Sequence, residues 1–388
     1  MKKIGMGLVG PGFVAKHHID AVRRLGDVEV VGIAGSSLAS ARRKCTELNV
    51  GNCYASYHEL VADPRIQVVH NTTPNHMHLP VGLAALCAGK HIVSDKPLAL
   101  TSADCALLRE AANQAGVANV VTFNYRGNPL VQHMRQIVAD GELGSLVFLH
   151  GHYLQDWMTD PHVYSWRMDP AKGATSSALA DIGSHWCDLV EHVSGLRIDS
   201  VLADLATVVK VRYSNGASFE SFSKRDDELS RPVEMAAEDL GSVLLRFSNG
   251  AIGNLRVGQV LPGHKNDLQL EINGRTRSLR WNQESQNELW IGSHASPSSI
   301  MVKDPSLLGG QARQYAHLPA GHQESWSDAF RNVIGEAYAW VRAGGRPAAR
   351  PATVCDFAGG HRVACIVEAM LRSHEAGGVW TRVGEAAA

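Results

Sequence analysis

The chain has 388 residues, 45% of them hydrophobic, and a formal net charge of −1. That length exceeds the roughly 250–300 residues at which single cores stop growing, so two domains are expected. Near-neutral charge argues against a nucleic-acid footprint and a polybasic membrane surface, and no apolar run reaches the about 18 residues of a membrane span. The seven cysteines, at 45, 53, 87, 105, 187, 355 and 365, include no C-x-x-C pair, which fits reduced thiols in a cytoplasmic protein. Met1-Lys2-Lys3 before apolar residues resembles a signal peptide only superficially, because Ile4 to Val14 holds four glycines and a proline and no small-residue cleavage site follows.

Lys3 to Val9 reads as a short apolar strand, and Gly10-Pro11-Gly12-Phe13-Val14-Ala15 then opens a helix to about Leu25, stopped by Gly26. Gly10-x-Gly12-x-x-Ala15 has the form of a dinucleotide fingerprint. Gly10 allows the tight turn, Gly12 lets the backbone approach a pyrophosphate, and the helix-start amides around Phe13 and Val14 face the phosphates. A glycine turn between strand and helix can exist without a ligand, but a strand before and a helix after favour the nucleotide. The next strand, Val28 to Ala34, ends in Gly35-Ser36-Ser37, where a NAD-type domain usually carries an acid for the adenosine ribose. Without that acid, and with Arg42 and Arg43 in the following helix, a 2′-phosphate would be tolerated, so NADP is favoured over NAD. Ser37 has a second reading, as the cap of the helix Leu38 to Leu48.

Tyr57 to Ala62 is a short helix and Ile66 to Asn71 a strand, followed by the turn-rich loop Thr72-Thr73-Pro74-Asn75. His78 to Ala88 has helical apolar spacing, and Gly89 stands where a helix-terminating residue belongs. His91 to Ser94 is a strand that Asp95-Lys96-Pro97 leaves at its carboxyl end, where open α/β sheets place ligand chemistry. His70, His76 and His78 are not read as metal ligands, since no acidic cluster accompanies them. Thr101 caps a helix to about Ala115, and Val117 to Phe123 is a further strand. This β-α alternation implies a doubly wound parallel sheet over residues 1–123.

Residues 124–388 are expected to form a second, α+β domain for substrate binding and oligomerisation. Pro129 to Asp140 is helical. From Leu146 a long strand runs toward Gln155-Asp156-Trp157, and the runs Val201 to Val211, Ser242 to Phe247, Ala251 to Val260 and Leu268 to Ile272 read as hairpins of a large, mostly antiparallel open sheet. Ser214 to Pro232 is either an extra strand or an exposed loop. If the chain is helical from about Gly183, Asp181 and His185 stand four apart on one face, with Asp188 on the neighbouring row. An Asp at a helix start and a histidine packed under a sheet would look the same. Ser325 to Arg342 reads as a long helix, Pro347 to Pro351 as a linker, Ala352 to Ala376 as a last amphipathic helix, and residues 385–388 as a frayed end.

The stretch Thr73-Pro74-Asn75-x-x-His78 through Ala88-Gly89-Lys90-His91 to Asp95-Lys96-Pro97-Leu98-Ala99 closely resembles the central signature of the Gfo/Idh/MocA oxidoreductases, with Asp95 where that family usually has Glu. Asn124-Tyr125-Arg126 resembles the family's N-Y-R element, Trp166-Arg167 its W-R pair, and Asp181-x-Gly183-x-His185 its acid/base D-x-G-x-H element. The resemblance spans nearly the whole chain. It implies that Thr72, Thr73, Pro74, Asn75 and His78 lie along the nicotinamide half of a cofactor, with Asp95, Lys96, Asn124, Trp166 and Arg167 also beside it. It further implies oxidation or reduction of a sugar, sugar derivative or inositol, and a loop from which His322 reaches the substrate, although a helix-start histidine in solvent is an equal reading of that residue.

Hydride transfer needs a nicotinamide, a carbinol carbon held against it and a base for the hydroxyl proton. His185 suits proton exchange near neutral pH, Lys96 can hold and polarise the hydroxyl, and Asp181 can orient either partner. His185 is taken as the principal acid/base and Lys96 as its electrostatic partner, with the reverse division as the alternative because the pair can titrate as a unit. Arg126, Tyr153, Gln155, Asp156 and Trp157 would complete a polar and aromatic surface for a polyol ring. The reading is therefore an NAD(P)-dependent sugar or polyol dehydrogenase, assembled as a homodimer or homotetramer through the second-domain sheet. Two alternatives stand beside it: a glycoside-cleaving hydrolase or lyase using tightly held NAD in transient oxidation, and a non-catalytic nucleotide-sensing regulator.

Overall fold

A computed structural model describes residues 3–164, 168, 175–214 and 231–384. They group into two compact units, Met1–Asn124 with Phe330–Ala364, and Tyr125–Ala329 with Cys365–Ala388.

The first unit runs β1 (Ile4–Val9), α1 (Ala15–Leu25), β2 (Val28–Ala34), α2 (Leu38–Glu47), β3 (Asn52–Tyr54), α3 (Tyr57–Ala62), β4 (Val68–Asn71), α4 (His78–Cys87), β5 (His91–Ser94), α5 (Ser102–Ala115) and β6 (Asn119–Val121). All six strands are parallel, in the order β3-β2-β1-β4-β5-β6, the doubly wound sheet expected from the alternation. Helices cover both faces of such a sheet, which is why β1 and β4 are almost continuously apolar and buried. In α1 the buried residues Ala15, His18, Ile19 and Val22 recur at helical spacing. Ser37, Ser56 and Thr101 start α2, α3 and α5 by accepting the amides of Ser40, Glu59 and Asp104. The edge strand β3 had no clear signal, since only Cys53 and Tyr54 in it are apolar.

Residues Phe330–Ala364, read from sequence with the second domain, group with this unit. The reason lies in specific contacts. Phe330 packs edge-on against His18 at 4.9 Å, Cys355 bridges Val121 antiparallel, and the amide of Phe357 donates to Asn119 Oδ1 at 2.8 Å.

The second unit holds α6 (Pro129–Ala139), β7 (Leu146–Leu154), a π-helical turn (Leu179–Gly183), α7 (Ser184–Ser194), β8 (Ile198–Ala206), β9 (Val211–Ser214), β10 (Arg231–Glu234), β11 (Leu240–Phe247), β12 (Ile252–Gly258), β13 (Asp267–Gly274), β14 (Arg277–Asn282), β15 (Glu288–Ser293), β16 (Ser299–Val302) and α8 (Gly310–Arg313). The helices α9 (Trp326–Arg342) and α10 (Phe357–Glu375) each have residues in both units, and β17 (Thr381–Arg382) ends the described chain. Nine strands form one sheet, β16-β15-β14-β13-β7-β12-β11-β8-β17, antiparallel except where β7 runs parallel to β12. The expected strand Val201 to Val211 stops at Ala206, and Val211–Ser214 instead pairs with Arg231–Glu234 in a separate two-stranded sheet. Of the segment Ser214 to Pro232, read as an extra strand or an exposed loop, Ser214 ends β9 and Arg231 and Pro232 begin β10, while residues 215–230 lie outside the described residues. Strands β14 to β16 were not anticipated, because they are short and bury few of their apolar residues, Leu279, Trp281 and Leu289.

One face of this sheet is covered by α7. Gly151 on β7 makes that possible: a Cβ there would stand 2.5 Å from Trp186 Nε1 and 2.0 Å from the Gln269 carbonyl. The Trp186 indole nitrogen therefore comes close to the strand and donates to Gln269 O at 2.9 Å, fixing the helix that carries His185. Among the described residues no helix is long and apolar enough to cross a membrane.

Candidate active site

In the first unit, the register brings the sequence-nominated residues to one edge. Ala34 pairs with Val9, Val9 with Asn71, Asn71 with Ser94 and Ser94 with Val121. The residues that follow therefore leave the sheet side by side: Gly35-Ser36, Gly10-Pro11-Gly12, Thr72-Thr73, Asp95-Lys96 and Thr122. In this strand order the direction of winding reverses between β1 and β4, and ligands bind outside the carboxyl ends at such a point.

The contacts there are close. Gly10 has φ +87°, and a Cβ on it would lie 2.6 Å from Thr73 Cα, so the glycine turn and the Thr72–Asn75 loop touch backbone to backbone. Thr72 Oγ1 seals the junction by donating to the carbonyls of Val9 and Gly10 at 3.1 and 2.7 Å. Thr73 Oγ1 donates to Asn71 Oδ1 at 2.7 Å. Pro74 and Asn75 lead through a 3-10 turn into α4. His78 is buried, with its ring nitrogens 2.7 Å from Pro97 O and 2.9 Å from Thr73 O, so it ties this loop to the segment after Lys96. Burial lowers its pKa, opposed by Asp95 and the backbone carbonyls. Asp95 Oδ1 accepts from the Lys96 amide and from Thr122 Oγ1, both at 2.9 Å, which orients the start of the Lys96 loop. Thr122 had no motif signal; its place one residue beyond β6 is what gives it this role.

A dinucleotide fits this edge. A Cβ on Gly12 would meet nothing within 4 Å, leaving the turn open to a ligand. The start of α1, at Val14, carries no side-chain cap, so the helix dipole there is not countered by a local acceptor. Asn124 is buried, and its Nδ2 finds no hydrogen-bond partner among the described residues. Phe13 projects beside the turn with Lys16 Nζ 5.2 Å from its ring centre. At the end of β2, Ser36 and Ser37 are exposed, and Ser37 Oγ accepts from the Ser40 amide at 3.2 Å, the capping role weighed above. Trp166 and Arg167 lie outside the described residues.

In the second unit, the helical segment starts earlier than read from sequence. The Ser184 amide reaches back to Leu179 O, closing a π turn that contains Asp181. π turns are rare and recur at functional sites. The wider turn sets Asp181 at a different angle to His185 from that of an unbroken α-helix. His185 is buried, with Tyr125 edge-on at 5.1 Å and Tyr153 at 6.1 Å. The Tyr125 and Tyr153 hydroxyls are 2.6 Å apart. Tyr153 donates to Asn266 Oδ1 at 2.6 Å, Gln155 Nε2 donates to the same oxygen at 3.1 Å, and the Trp157 indole donates to Gln155 Oε1 at 2.8 Å. Burial raises both tyrosine pKa values, and the charge of Asp181 pushes the same way. Both hydroxyls are thus held protonated, as hydrogen-bond donors.

The remaining nominated residues are placed as follows. Arg126 makes a two-point pair with Asp188 of α7, Nε to Oδ2 at 2.8 Å and Nη2 to Oδ1 at 2.6 Å. Asp156 pairs with Lys265 Nζ at 2.6 Å, and the bond holds its carboxyl below the usual range. His322 is exposed, with Nδ1 3.3 Å from Ala320 O. Its loop is tied down by Glu324, whose Oε1 accepts the amides of His317 and Leu318 at 2.6 and 2.9 Å. The partners Asn266 and Glu324 belong to no motif, and nothing in the linear pattern marks them; Asp188, on the row beside Asp181 and His185, gave no sign that it would pair with Arg126.

Residues 4–123 match a sequence family described as "Oxidoreductase family, NAD-binding Rossmann fold", and residues 131–280 match the "GFO/IDH/MocA C-terminal domain". The chain is 30% identical over 396 residues to levoglucosan dehydrogenase from Pseudarthrobacter phenanthrenivorans, covering 96% of each chain. Among solved structures, levoglucosan dehydrogenase in complex with NADH and L-sorbose superposes with a TM-score of 0.88 at 26% identity, over 99% of this chain and 100% of that one. An inositol dehydrogenase homologue from Azotobacter vinelandii, complexed with NADH and myo-inositol, gives a TM-score of 0.83 at 26% identity over 98% of both.

Proposed function

The chain belongs to the Gfo/Idh/MocA family of oxidoreductases, and we propose that it is a nicotinamide-dependent dehydrogenase acting on the CH–OH group of a sugar, sugar derivative or inositol. The observation that carries this reading is the single register line from β2 to β6. It delivers a nucleotide-accepting glycine turn and a lysine to the same sheet edge. Relatives named for levoglucosan and inositol support a cyclic polyol as the substrate class.

When bound, the cofactor supplies the hydride acceptor or donor. The chain supplies the rest. The glycine turn and the start of α1 bind the phosphates. Lys96 holds and polarises the reacting hydroxyl, His185 exchanges its proton, and Asp181 orients the exchange and favours the charged imidazole. The polar, partly aromatic surface of Tyr125, Tyr153, Gln155 and Trp157 suits sugar hydroxyls and C–H faces. For the cofactor, we favour NADP over NAD, because Ser36 and Ser37 are exposed where an acid would repel a 2′-phosphate. Association through the open face of the large sheet belongs to the same proposal, since Leu244, Ile252 and Trp380 are exposed there.

A spectrophotometric screen of cyclic polyols, anhydrosugars, aldoses and glycosides with both cofactors tests the reading. Cofactor reduction by at least one class is expected. Cleavage of a glycoside without net cofactor turnover would point to a transient-oxidation hydrolase instead, and tight cofactor binding with no turnover on any class would point to a sensor.

A further inference from the structure

The turn that bears Asp181 is held by two buried polar side chains from elsewhere in the second unit. Glu238 is buried, and its Oε1 accepts from Ser176 Oγ at 2.7 Å, the Ser177 amide at 3.0 Å and the Leu179 amide at 2.8 Å. These are the unpaired donors at the start of a helical segment, so the carboxylate caps the π turn from outside it. The Ala178 amide adds a bond to the Glu238 carbonyl at 3.1 Å. Burial raises the Glu238 pKa, while the donors around it favour the charged form.

Gln259 stands just beyond β12 and is fully buried. Its Nε2 donates to Asp181 Oδ2 at 2.8 Å, and its Oε1 accepts from Ser177 Oγ at 3.3 Å. An ionised carboxylate only accepts, so Asp181 fixes which way the amide faces. The Gln259 backbone is itself pinned, with its amide donating to Asp239 O at 2.9 Å and its carbonyl accepting from Met158 at 3.1 Å. A long amide with both ends and its backbone occupied, buried in a packed core, has one conformation. Asp181 on a wide turn would otherwise have more than one.

We propose that Gln259 is a positioning residue for Asp181: it clamps one carboxylate oxygen, sets the direction of the other, and stabilises the charged form of the carboxyl. This rests on the catalytic role given to Asp181 above. Glu238 supports the clamp by fixing the backbone of the turn.

The test uses the full chain and the most active polyol–cofactor pair from the screen, with Gln259→Leu, Gln259→Glu and Asp181→Asn. Losing the donor should lower kcat by about ten- to a hundredfold, because misplacement of a reacting group by about 1 Å has effects of that size. The KM for cofactor should stay within about twofold. Removing a donor raises a carboxyl pKa, and a second carboxyl in contact raises it further. The acidic limb of the kcat/KM profile should therefore move upward in the order wild type, Gln259→Leu, Gln259→Glu. A purely structural residue would lower the melting temperature and leave the kcat of folded enzyme and its pH profile unchanged, and that result would overturn the inference. If Gln259→Glu does not fold, Gln259→Leu carries the same test through kcat and the limb. Full activity in Asp181→Asn would instead remove the catalytic reading itself, whereas collapse of Asp181→Asn with both Gln259 variants unaffected would remove only the clamp.

Discussion

Lys96 stands two residues beyond a buried strand, and its loop is oriented from behind by Asp95 and Thr122. Truncating it leaves the glycine turn, the Thr72 seal and the His78 tie intact. Lys96→Ala should therefore lower kcat by about 10²–10⁴-fold, the usual contribution of a positioned proton-handling group, while cofactor affinity changes little. Steady-state kinetics beside fluorescence titration of the cofactor would separate the two effects. Cofactor choice is read at a different residue. Ser36→Asp would add an acceptor for ribose hydroxyls and a charge against a 2′-phosphate, so the NAD/NADP ratio of kcat/KM should rise by at least tenfold. An unchanged ratio would mean that Ser36 does not face the ribose. Lys96, Asp181 and His185 were legible because each sits in a spaced motif. Thr122, Gln259 and Glu238 were not, because a side chain that acts through another residue leaves no periodic trace and is found by its hydrogen bonds.

Elements of the first unit were readable almost to their ends, since a doubly wound sheet enforces strong local rules: buried apolar strands, Ser or Thr at helix starts, and glycine at helix stops. The second unit obeys weaker ones. Its sheet has one covered and one open face, so strands such as β14 show only two inward residues, Leu279 and Trp281, among two arginines, a serine and an asparagine. Two glycines make the contrast testable. In the first unit, Gly10→Ala requires a left-handed residue with a side chain and drives a Cβ to 2.6 Å from Thr73. It should cost about 1–3 kcal/mol of stability and weaken cofactor binding by more than tenfold, measured by denaturation and titration. In the second unit, Gly151→Ala needs no left-handed backbone, but its methyl would stand 2.0 Å from the Gln269 carbonyl oxygen of β13 as well as 2.5 Å from Trp186 Nε1, so both the strand pairing and the indole must shift. That should cost a similar about 1–3 kcal/mol, lower kcat by shifting α7 and His185, and leave cofactor affinity unchanged. Equal effects of both substitutions on cofactor binding would contradict the assignment of the nucleotide to the first unit.

At the scale of the molecule, neutral buried histidines govern how stability depends on pH. In the first unit His18 Nδ1 and His70 Nδ1 are 2.8 Å apart, and His70 Nε2 lies 3.1 Å from the Tyr338 hydroxyl. One imidazole donates to the other, an arrangement that two imidazolium rings cannot adopt. Burial accordingly lowers His18 to about 4 and His70 well below its ordinary value. In the second unit His192, buried near Arg126 and Arg135, is lowered in the same way. A histidine whose folded pKa is depressed takes its proton more readily when unfolded. Its contribution is therefore complete above about pH 6.5, the unfolded value, and is lost as pH falls toward the folded value. For His18 the window runs from about 6.5 to about 4, and at about 1.4 kcal/mol per pH unit the loss is about 3 kcal/mol. Lowered carboxyls such as Asp267 and Asp156 add their own loss only at and below about pH 4, so the two windows separate. Glu238 and Glu336, raised by burial, act in the opposite direction within the histidine window, so the diagnostic quantity is the difference between variants. His18→Asn and His192→Asn should each flatten the fall in unfolding free energy between pH 6.5 and 4.5 by up to one proton's worth of slope, followed by urea denaturation across that range. If both variants keep the wild-type slope, acid sensitivity in this protein arises from its carboxyls, and the buried imidazoles are bystanders.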